Sequence, residues 1–190
     1  MRAIPTTYGG VQFRSRLEAS VAAHFDKIGL RWDYEPEGFE LSDGTRYLPD
    51  FYLPQARAWL EVKGEHNERV DKVERFAAEL WADSGASDTY DLSAPMVLLA
   101  NAPTYDVDHN GRRYGELHLG VTMVTQGGGG SCGFAKCDRC GAITAIAFFQ
   151  PNCRNCGMPQ IGEGETWNGW HSWMDVYMTP FTRLRSEAYR

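Results

Sequence analysis

The sequence lacks any run of eighteen or more apolar residues, so it contains no segment typical of a membrane-spanning helix. Its first residues also lack the apolar stretch of a secretory signal peptide. We therefore expect a protein that makes no contact with membranes and works in the cytoplasm, where thiols stay reduced.

An excess of positive charge is missing as well. Lysine and arginine number 19 against 25 aspartates and glutamates, which gives a net charge of −6. Proteins that hold nucleic acid through bulk charge are usually basic, so this class is disfavoured. An enzyme that acts on nucleic acid is still possible, because a site built from carboxylates stays acidic until metal ions bind, and local basic patches can hold phosphates.

Four glycines stand together at Gly127–Gly130, but the Gly-Lys-Ser/Thr sequence that completes a phosphate-binding loop does not follow them. We interpret 127–130 as a flexible linker. It would separate a core at 1–126 from a cysteine-bearing module at 131–160. The tail at 161–190 is expected either to pack on the core or to stack on bases. Its tryptophans are Trp167, Trp170 and Trp173.

Two segments have the apolar period of an amphipathic helix, 14–30 and 67–82. In the first, Ser15 and Glu18 fit a capping box at the start. Gly29 fits the end of that helix, since glycine readily adopts the left-handed conformation of a helix cap. Both segments are therefore predicted as helices.

The rest of the core has the short, aromatic or β-branched runs typical of strands. Strands are predicted at 31–35, 38–41, 46–53, 58–62, 95–100 and 119–125. Asp43-Gly44 between two of them is a hairpin signal, and 101–118 is a loop or hairpin. The order helix, strands, helix, strand predicts a mixed α+β fold in which antiparallel hairpins precede a crossover.

Two carboxylates and a lysine fall on neighbouring strands in the middle of this core. Glu61 and Lys63 are two residues apart, so both project to one side, whereas Leu60 and Val62 project into the core. Asp50 lies on the preceding strand, which a short hairpin can bring alongside. Carboxylates placed together in this way repel each other unless a cation lies between them.

Mg²⁺, or Mn²⁺ in its place, suits such a site, because it takes carboxylate, water and phosphate oxygens. A bound cation of this kind would polarise a scissile phosphate and activate a water molecule. Lys63 would position or deprotonate that water, or neutralise charge on the phosphate. The alternative is structural: Asp50 would be a turn residue, and Glu61 with Lys63 a solvated strand face.

Pro49-Asp50, ten further residues and then Glu61-Val62-Lys63 resemble the signature of the PD-(D/E)xK nuclease superfamily. The resemblance implies a restriction-endonuclease-like core, with a central mixed sheet flanked by helices. It also implies a Mg²⁺- or Mn²⁺-dependent deoxyribonuclease, and a single compact catalytic domain without a helicase motor favours an endonuclease or nickase. Asp50 and Glu61 would then be metal ligands, and Lys63 would complete the catalytic set.

The string Phe-Arg-Ser-Arg-Leu-Glu-Ala at 13–19, followed by Tyr34-Glu35-Pro36, is similar to a subgroup of that superfamily found in phages and mobile elements. In the superfamily a glutamate on a helix often completes the metal site, and Glu18 is the matching position. Glu18 could instead serve only the helix start. The resemblance covers about residues 8–100.

The same interpretation predicts the partners of the protein. Arg14, Arg16 and His66 are candidate contacts to the phosphates of DNA. Exposed arginines on a helix are as often only solvated. The chain is expected to act alone, as a homodimer, or with proteins of recombination, repair or packaging.

The cysteines form a second constellation. Cys137-x-x-Cys140, twelve residues and then Cys153-x-x-Cys156 have the spacing of a zinc ribbon, in which four thiolates hold one structural Zn²⁺. Cys132 falls outside this spacing and is predicted to be a free thiol.

The ribbon is either a metal-stapled small fold or a surface for nucleic acid or protein, helped by Lys136, Arg139 and Arg154. It also supports the alternative function, a non-catalytic binding module on a nuclease-like scaffold. In that case the larger core would serve only as a support for the ribbon.

Overall fold

The computed structural model describes residues 3–64, 70–86, 91–92, 94–107, 109–110, 112–125, 128–147, 152–158 and 180–184. The described residues form two helices and thirteen strands. The helices are α1 (Arg16–Ile28) and α2 (Asp71–Asp83). Neither is long and apolar enough to span a membrane.

The strands are short. They are β1 (Thr6–Tyr8), β2 (Val11–Phe13), β3 (Asp33–Tyr34), β4 (Phe39–Glu40), β5 (Arg46–Tyr47), β6 (Phe51–Leu53), β7 (Ala58–Val62), β8 (Met96–Ala100), β9 (Thr104–Val107), β10 (Arg113–His118), β11 (Val121–Thr125), β12 (Gly128–Lys136) and β13 (Ile143–Ala147).

Helix α1 has the caps that the sequence predicts. The Oγ of Ser15 accepts a hydrogen bond from the backbone N–H of Glu18 at 3.1 Å. Gly29 adopts the left-handed conformation, with φ of 77°. Both predicted helices are confirmed. Helix α2 begins at Asp71 rather than at residue 67, and 65–69 lie outside the described part of the chain.

Seven strands form the central sheet, in the order β13-β12-β11-β8-β7-β6-β3. Among the described strands of this sheet, only β7 and β8 run parallel, and α2 lies in the crossover between them. The other neighbours are antiparallel. The predicted mixed α+β class with a central mixed sheet is therefore confirmed.

The helices pack on opposite faces of this sheet. Leu98 on β8 belongs to a core cluster with Val21 and Phe25 of α1. The preceding residue, Val97, belongs to a second cluster with Phe76 of α2 and with side chains of the β4–β5 hairpin. Because successive side chains of a strand point to opposite faces, each helix covers one face.

The predicted strand at 46–53 is two separate strands. Strand β5 pairs with β4, and β6 pairs with β3 and β7. Pro49 lies between them and has no N–H to donate to a ladder, which explains the break. The turn at Asp43-Gly44 is present as predicted, with φ of 77° at Gly44.

Three of the four glycines predicted as a flexible linker, 128–130, lie in a strand, and Gly127 is outside the described residues. Gly128, Gly129 and Gly130 form the first part of β12 and pair with Thr125, Val124 and Met123 of β11. Hydrogen bonding across the ladder offsets the low strand propensity of glycine. The segment with the cysteines is thus joined to the core by a continuous sheet.

Candidate active site and candidate metal centre

Asp50 lies immediately before β6, at the end of the β6–β7 pair. In that pair Phe51 is opposite Leu60, so the same register places Asp50 opposite Glu61. The side chain of Asp50 is almost fully buried. Its Oδ2 accepts from the backbone N–H of Val62 at 2.7 Å, and its Oδ1 accepts from Nη2 of Arg14 at 2.8 Å.

Glu61 and Lys63 are on one face of β7, as the strand period predicts. Nζ of Lys63 donates to Oε1 of Glu61 at 2.9 Å. Their side chains are only 14% and 12% exposed, so this ion pair is far better shielded from water than a typical surface pair. Leu60, which points to the opposite face, is fully buried and anchors the strand.

Tyr47 completes the surroundings of Glu61 and was not found by the sequence analysis. Its hydroxyl donates to Oε2 of Glu61 at 2.8 Å. Burial and the negative charge of Glu61 raise the pKa of Tyr47 well above its usual value, so the phenol stays a donor. No local pattern marks this tyrosine, because the contact joins residues 14 apart in the chain.

Glu18 is both a helix-start residue and a neighbour of the other carboxylates. Its Oε1 accepts from Ser15 Oγ and its Oε2 accepts from the hydroxyl of Tyr34, both at 2.6 Å. The Tyr34 hydroxyl in turn accepts from the backbone N–H of Arg14 at 3.1 Å. The Tyr-Glu-Pro string therefore contributes a side chain that holds Glu18.

The three carboxylates influence one another. Burial raises the pKa of Asp50 to about 8, and the negative charges of Glu61 and Glu18 act in the same direction. The N–H of Val62 and the guanidinium of Arg14 oppose this shift. Asp50 thus lies where added positive charge would stabilise its carboxylate.

The carboxylates do not form a closed cage. Among the described residues, only the cysteines bring three or more ligand atoms of the metal-binding types within 4.8 Å of one another. Glu18, Asp50 and Glu61 are instead each held by hydrogen-bond donors of the protein. Arg14 supplies the positive charge next to Asp50, and it also pairs with Glu35 at 2.5 Å.

A cleft of about 430 Å³ opens beside Glu61 and Lys63. It is lined by Arg14, Arg46, Tyr47, Leu48, Glu61, Lys63, Asp71 and Lys72. Four of these side chains are basic and two are acidic, in a chain whose net charge is −6. The lining of the cleft thus has more basic than acidic side chains, although Arg14 and Lys63 also pair with carboxylates, and basic side chains of this kind suit a phosphate-bearing ligand.

The three residues predicted to contact DNA phosphates lie in different places. Arg14 lines the cleft, and its side chain is 56% exposed. Arg16 is the first residue of α1, half-buried, and does not line the cleft. His66 lies outside the described residues, as do the three tryptophans of the tail.

The four paired cysteines come together as the spacing predicts. Sγ of Cys137 lies 3.7 Å from that of Cys156, and Sγ of Cys140 lies 3.7 Å from that of Cys153. A tetrahedron with Zn–S bonds of about 2.3 Å has edges of about 3.8 Å. The cluster could therefore hold a metal ion such as zinc.

The two cysteine turns have the same backbone geometry. The N–H groups of Gly141 and Gly157 donate to the carbonyls of Cys137 and Cys153, both at 2.8 Å. Both glycines have positive φ, 69° and 74°. Such angles favour glycine, which explains why a glycine follows each cysteine pair.

Cys132 and Arg154 lie away from solvent. Burial raises the pKa of Cys132 to about 12, and this thiol is not in the four-cysteine group. Arg154 is only 2% exposed, so the expectation that it contacts nucleic acid is wrong. Lys136 and Arg139 are exposed.

Gly129 to Gly133 match the Gly-x-Ser-x-Gly pattern of serine hydrolases. That pattern needs a sharp turn between a strand and a helix to expose its serine. Here Ser131 lies inside the continuous strand β12. The surroundings therefore give no support to a serine nucleophile.

No protein-family model, no curated protein and no solved structure matches the chain.

Proposed function

We propose that this protein is a metal-dependent nuclease that hydrolyses phosphodiester bonds of DNA, acting as an endonuclease. One observation carries the proposal. The Glu61–Lys63 pair stands beside the buried Asp50, at the wall of a cleft with four basic side chains in an acidic protein. Strands β6 and β7 would thus supply the residues named by the resemblance to PD-(D/E)xK nucleases.

The donor set fits Mg²⁺ or Mn²⁺. Asp50 and Glu61 offer carboxylate oxygens, which these ions prefer, and the adjoining cleft leaves room for water and phosphate. The neighbouring negative charges make Asp50 unfavourable as an isolated anion, and a divalent cation would offset this cost. Glu18, held by Ser15 and Tyr34, is a further candidate ligand.

A bound divalent cation supplies Lewis-acid activation of phosphate and water. Lys63 is placed to donate to a phosphate oxygen or to hold the attacking water, because Glu61 fixes its ammonium group at 2.9 Å. The guanidinium of Arg14 lines the cleft, where its positive charge can attract a phosphate while Nε and Nη2 pair with Glu35 and Asp50. Tyr47 keeps the Glu61 carboxylate oriented.

The four-cysteine cluster is proposed to hold one structural Zn²⁺. Thiolates are ligands that zinc prefers, and four of them without an open position are typical of a structural site. The residues of the two cysteine turns are too few to build a core by themselves, so zinc would cross-link the turns.

The experiment incubates the zinc-loaded chain with supercoiled, linear, single-stranded and branched DNA, with Mg²⁺ or Mn²⁺. Asp50→Asn should abolish cleavage, and Glu61→Gln and Lys63→Met should lower it by at least about a hundredfold. Asp33→Asn is the matched control, because Asp33 is exposed on the edge strand β3. Cleavage that persists in purified Asp50→Asn protein would overturn the proposal.

A second candidate is a non-catalytic binding module. It is favoured by the protein donors that already satisfy each carboxylate, and by the exposed Lys136 and Arg139 beside the cysteines. DNA or protein binding would then survive in the Asp50→Asn and Glu61→Gln variants. Chelation of the cysteine-bound metal would abolish it.

A further inference from the structure

The second cysteine turn sends an arginine into the protein core. Arg154 follows Cys153 directly and is 2% exposed. Its Nε donates to the carbonyl of Ala56 at 2.9 Å, and its Nη2 donates to the carbonyl of Ala94. Burying a guanidinium is unfavourable unless its donors are used, so a side chain placed in this way indicates a specific structural role.

The turn between β6 and β7 also donates back to the cysteine turn. Arg57 is adjacent to Ala56, in the turn between β6 and β7, and it donates from Nη2 to the carbonyl of Arg154. The same group of Arg57 donates to the carbonyl of Leu92 at 2.9 Å. The backbone N–H of Arg154 donates to Oγ1 of the buried Thr144 on β13. One residue thus joins the cysteine turn to three parts of the core.

The anchored segments lead to the candidate active site. The turn that contains Ala56 ends β6 and begins β7, and Ala94 lies two residues before β8. Glu61 is three residues beyond Ala58, the first residue of β7, which is about 10 Å at about 3.3 Å per residue. Asp50 is at the same far end of the hairpin. A shift of the turn would therefore alter how the two strands present their carboxylates.

We infer that Arg154 is a positioning residue, through which metal bound by the four cysteines fixes the hairpin that carries Asp50 and Glu61. Without metal, the four thiols no longer bind a common ion and only weaker contacts, such as that of Asn155 Nδ2 with Cys140 Sγ, join the two described cysteine turns, so the backbone of Arg154 is held less firmly. The consequence for catalysis rests on the proposed function, whereas the structural coupling can be measured without it.

The experiment follows amide hydrogen exchange in the zinc-loaded full chain. Removing zinc with a chelator under reducing conditions should speed exchange around Ala56–Leu60 by at least about tenfold. Arg154→Ala should produce the same increase while zinc is still bound. Retention of the metal is checked by the thiolate absorption band of the Co²⁺-substituted protein, which a simple collapse of the cluster would change.

Arg139→Ala is the matched control, since Arg139 occupies the first cysteine turn but is exposed. It should leave exchange in the hairpin unchanged. Arg154→Lys keeps the charge but can reach only one of the two carbonyls, so it should give a smaller increase, and it replaces Arg154→Ala if that variant does not fold. Exchange at the wild-type rate in a cobalt-loaded Arg154 variant, or in the metal-free protein, would overturn the inference.

Activity separates this inference from the proposed function. If the chain cleaves DNA, Arg154→Ala should lower the cleavage rate at saturating DNA more than it weakens DNA binding. Exchange that behaves as expected in a protein without cleavage would leave the coupling intact and refute only the nuclease proposal.

Discussion

Replacing Asp50 by asparagine should make the zinc-loaded protein more stable in the absence of Mg²⁺. The amide keeps the shape of the side chain and can still accept from the N–H of Val62. It removes a carboxyl group whose ionised form is disfavoured by burial and by the carboxylates of Glu61 and Glu18. The variant loses the ion pair with Arg14, but that arginine is 56% exposed, so the pair is weak. The net gain should be about 1–2 kcal/mol, well below the full desolvation cost of a buried ion.

The same variant tests whether a cation binds there. A ligand at a hundred times its Kd stabilises the folded state by about 2.7 kcal/mol. In a chain of this size that raises Tm by roughly 5–11 °C. Mg²⁺ should therefore raise the Tm of the wild type and leave the Tm of Asp50→Asn almost unchanged.

The assay is thermal unfolding of zinc-loaded protein, with and without Mg²⁺, followed by circular dichroism. Asp33→Asn should match the wild type under both conditions, because exposed substitutions change stability by less than about 0.5 kcal/mol. Two results would refute the reasoning. One is a Tm for Asp50→Asn below that of the wild type when Mg²⁺ is absent. The other is an equal rise in Tm with Mg²⁺ in the wild type and in Asp50→Asn.

Two further predictions concern residues that support the site and the core. Tyr47→Phe removes the phenol that donates to Glu61, so it should lower the free energy of unfolding by about 1–2 kcal/mol in urea titrations; an unchanged midpoint would contradict this. His24 is buried, and burial, with smaller contributions from Lys27 and His118, lowers its pKa to about 4. The unfolded chain therefore binds a proton below pH 6.5 that the folded chain does not bind, so His24 contributes a fall in stability of up to about 3 kcal/mol between pH 6.5 and pH 4; the raised pKa of Asp50 acts in the opposite direction over this range. In an Asp50→Asn background, which removes the opposing group, His24→Leu should flatten that part of the curve, and a slope unchanged by His24→Leu would exclude His24 as its source.

Signals that act within a few residues predicted much of the fold. The caps of α1 follow from Ser15 and Gly29, whose side-chain chemistry and conformational freedom act locally. Strand β7 has the predicted bounds, because its alternation of buried and polar residues is complete within five positions. The four cysteines converge because their spacing limits where two short turns can place thiolates.

The sequence analysis did not predict two elements, the β1–β2 hairpin and the start of β12, both of which depend on pairing between strands. The β1–β2 hairpin turns at Gly9-Gly10, a glycine pair that could have indicated it. Strand β12 begins in glycines that carry no strand signal of their own, and only the ladder with β11 makes them a strand.

The candidate site likewise combines features that local sequence signals predict with features that depend on distant contacts. The shared face of Glu61 and Lys63 follows from the strand period. The contact of Arg14 with Asp50 joins residues 36 apart, and those of Arg154 with the core join residues up to 98 apart, so both depend on the finished fold. Whether the site belongs to a PD-(D/E)xK nuclease stays a prediction.

The continuity of the sheet through the glycine run has a practical consequence. Cutting the chain at residue 126 would remove β12, which covers one side of β11. The bared strand would present a row of unpaired backbone donors and acceptors, and such an edge recruits a strand from another molecule. A fragment made to isolate the carboxylate-bearing half would thus be prone to self-association, and any loss of activity in it would report aggregation rather than the chemistry of the missing cysteines.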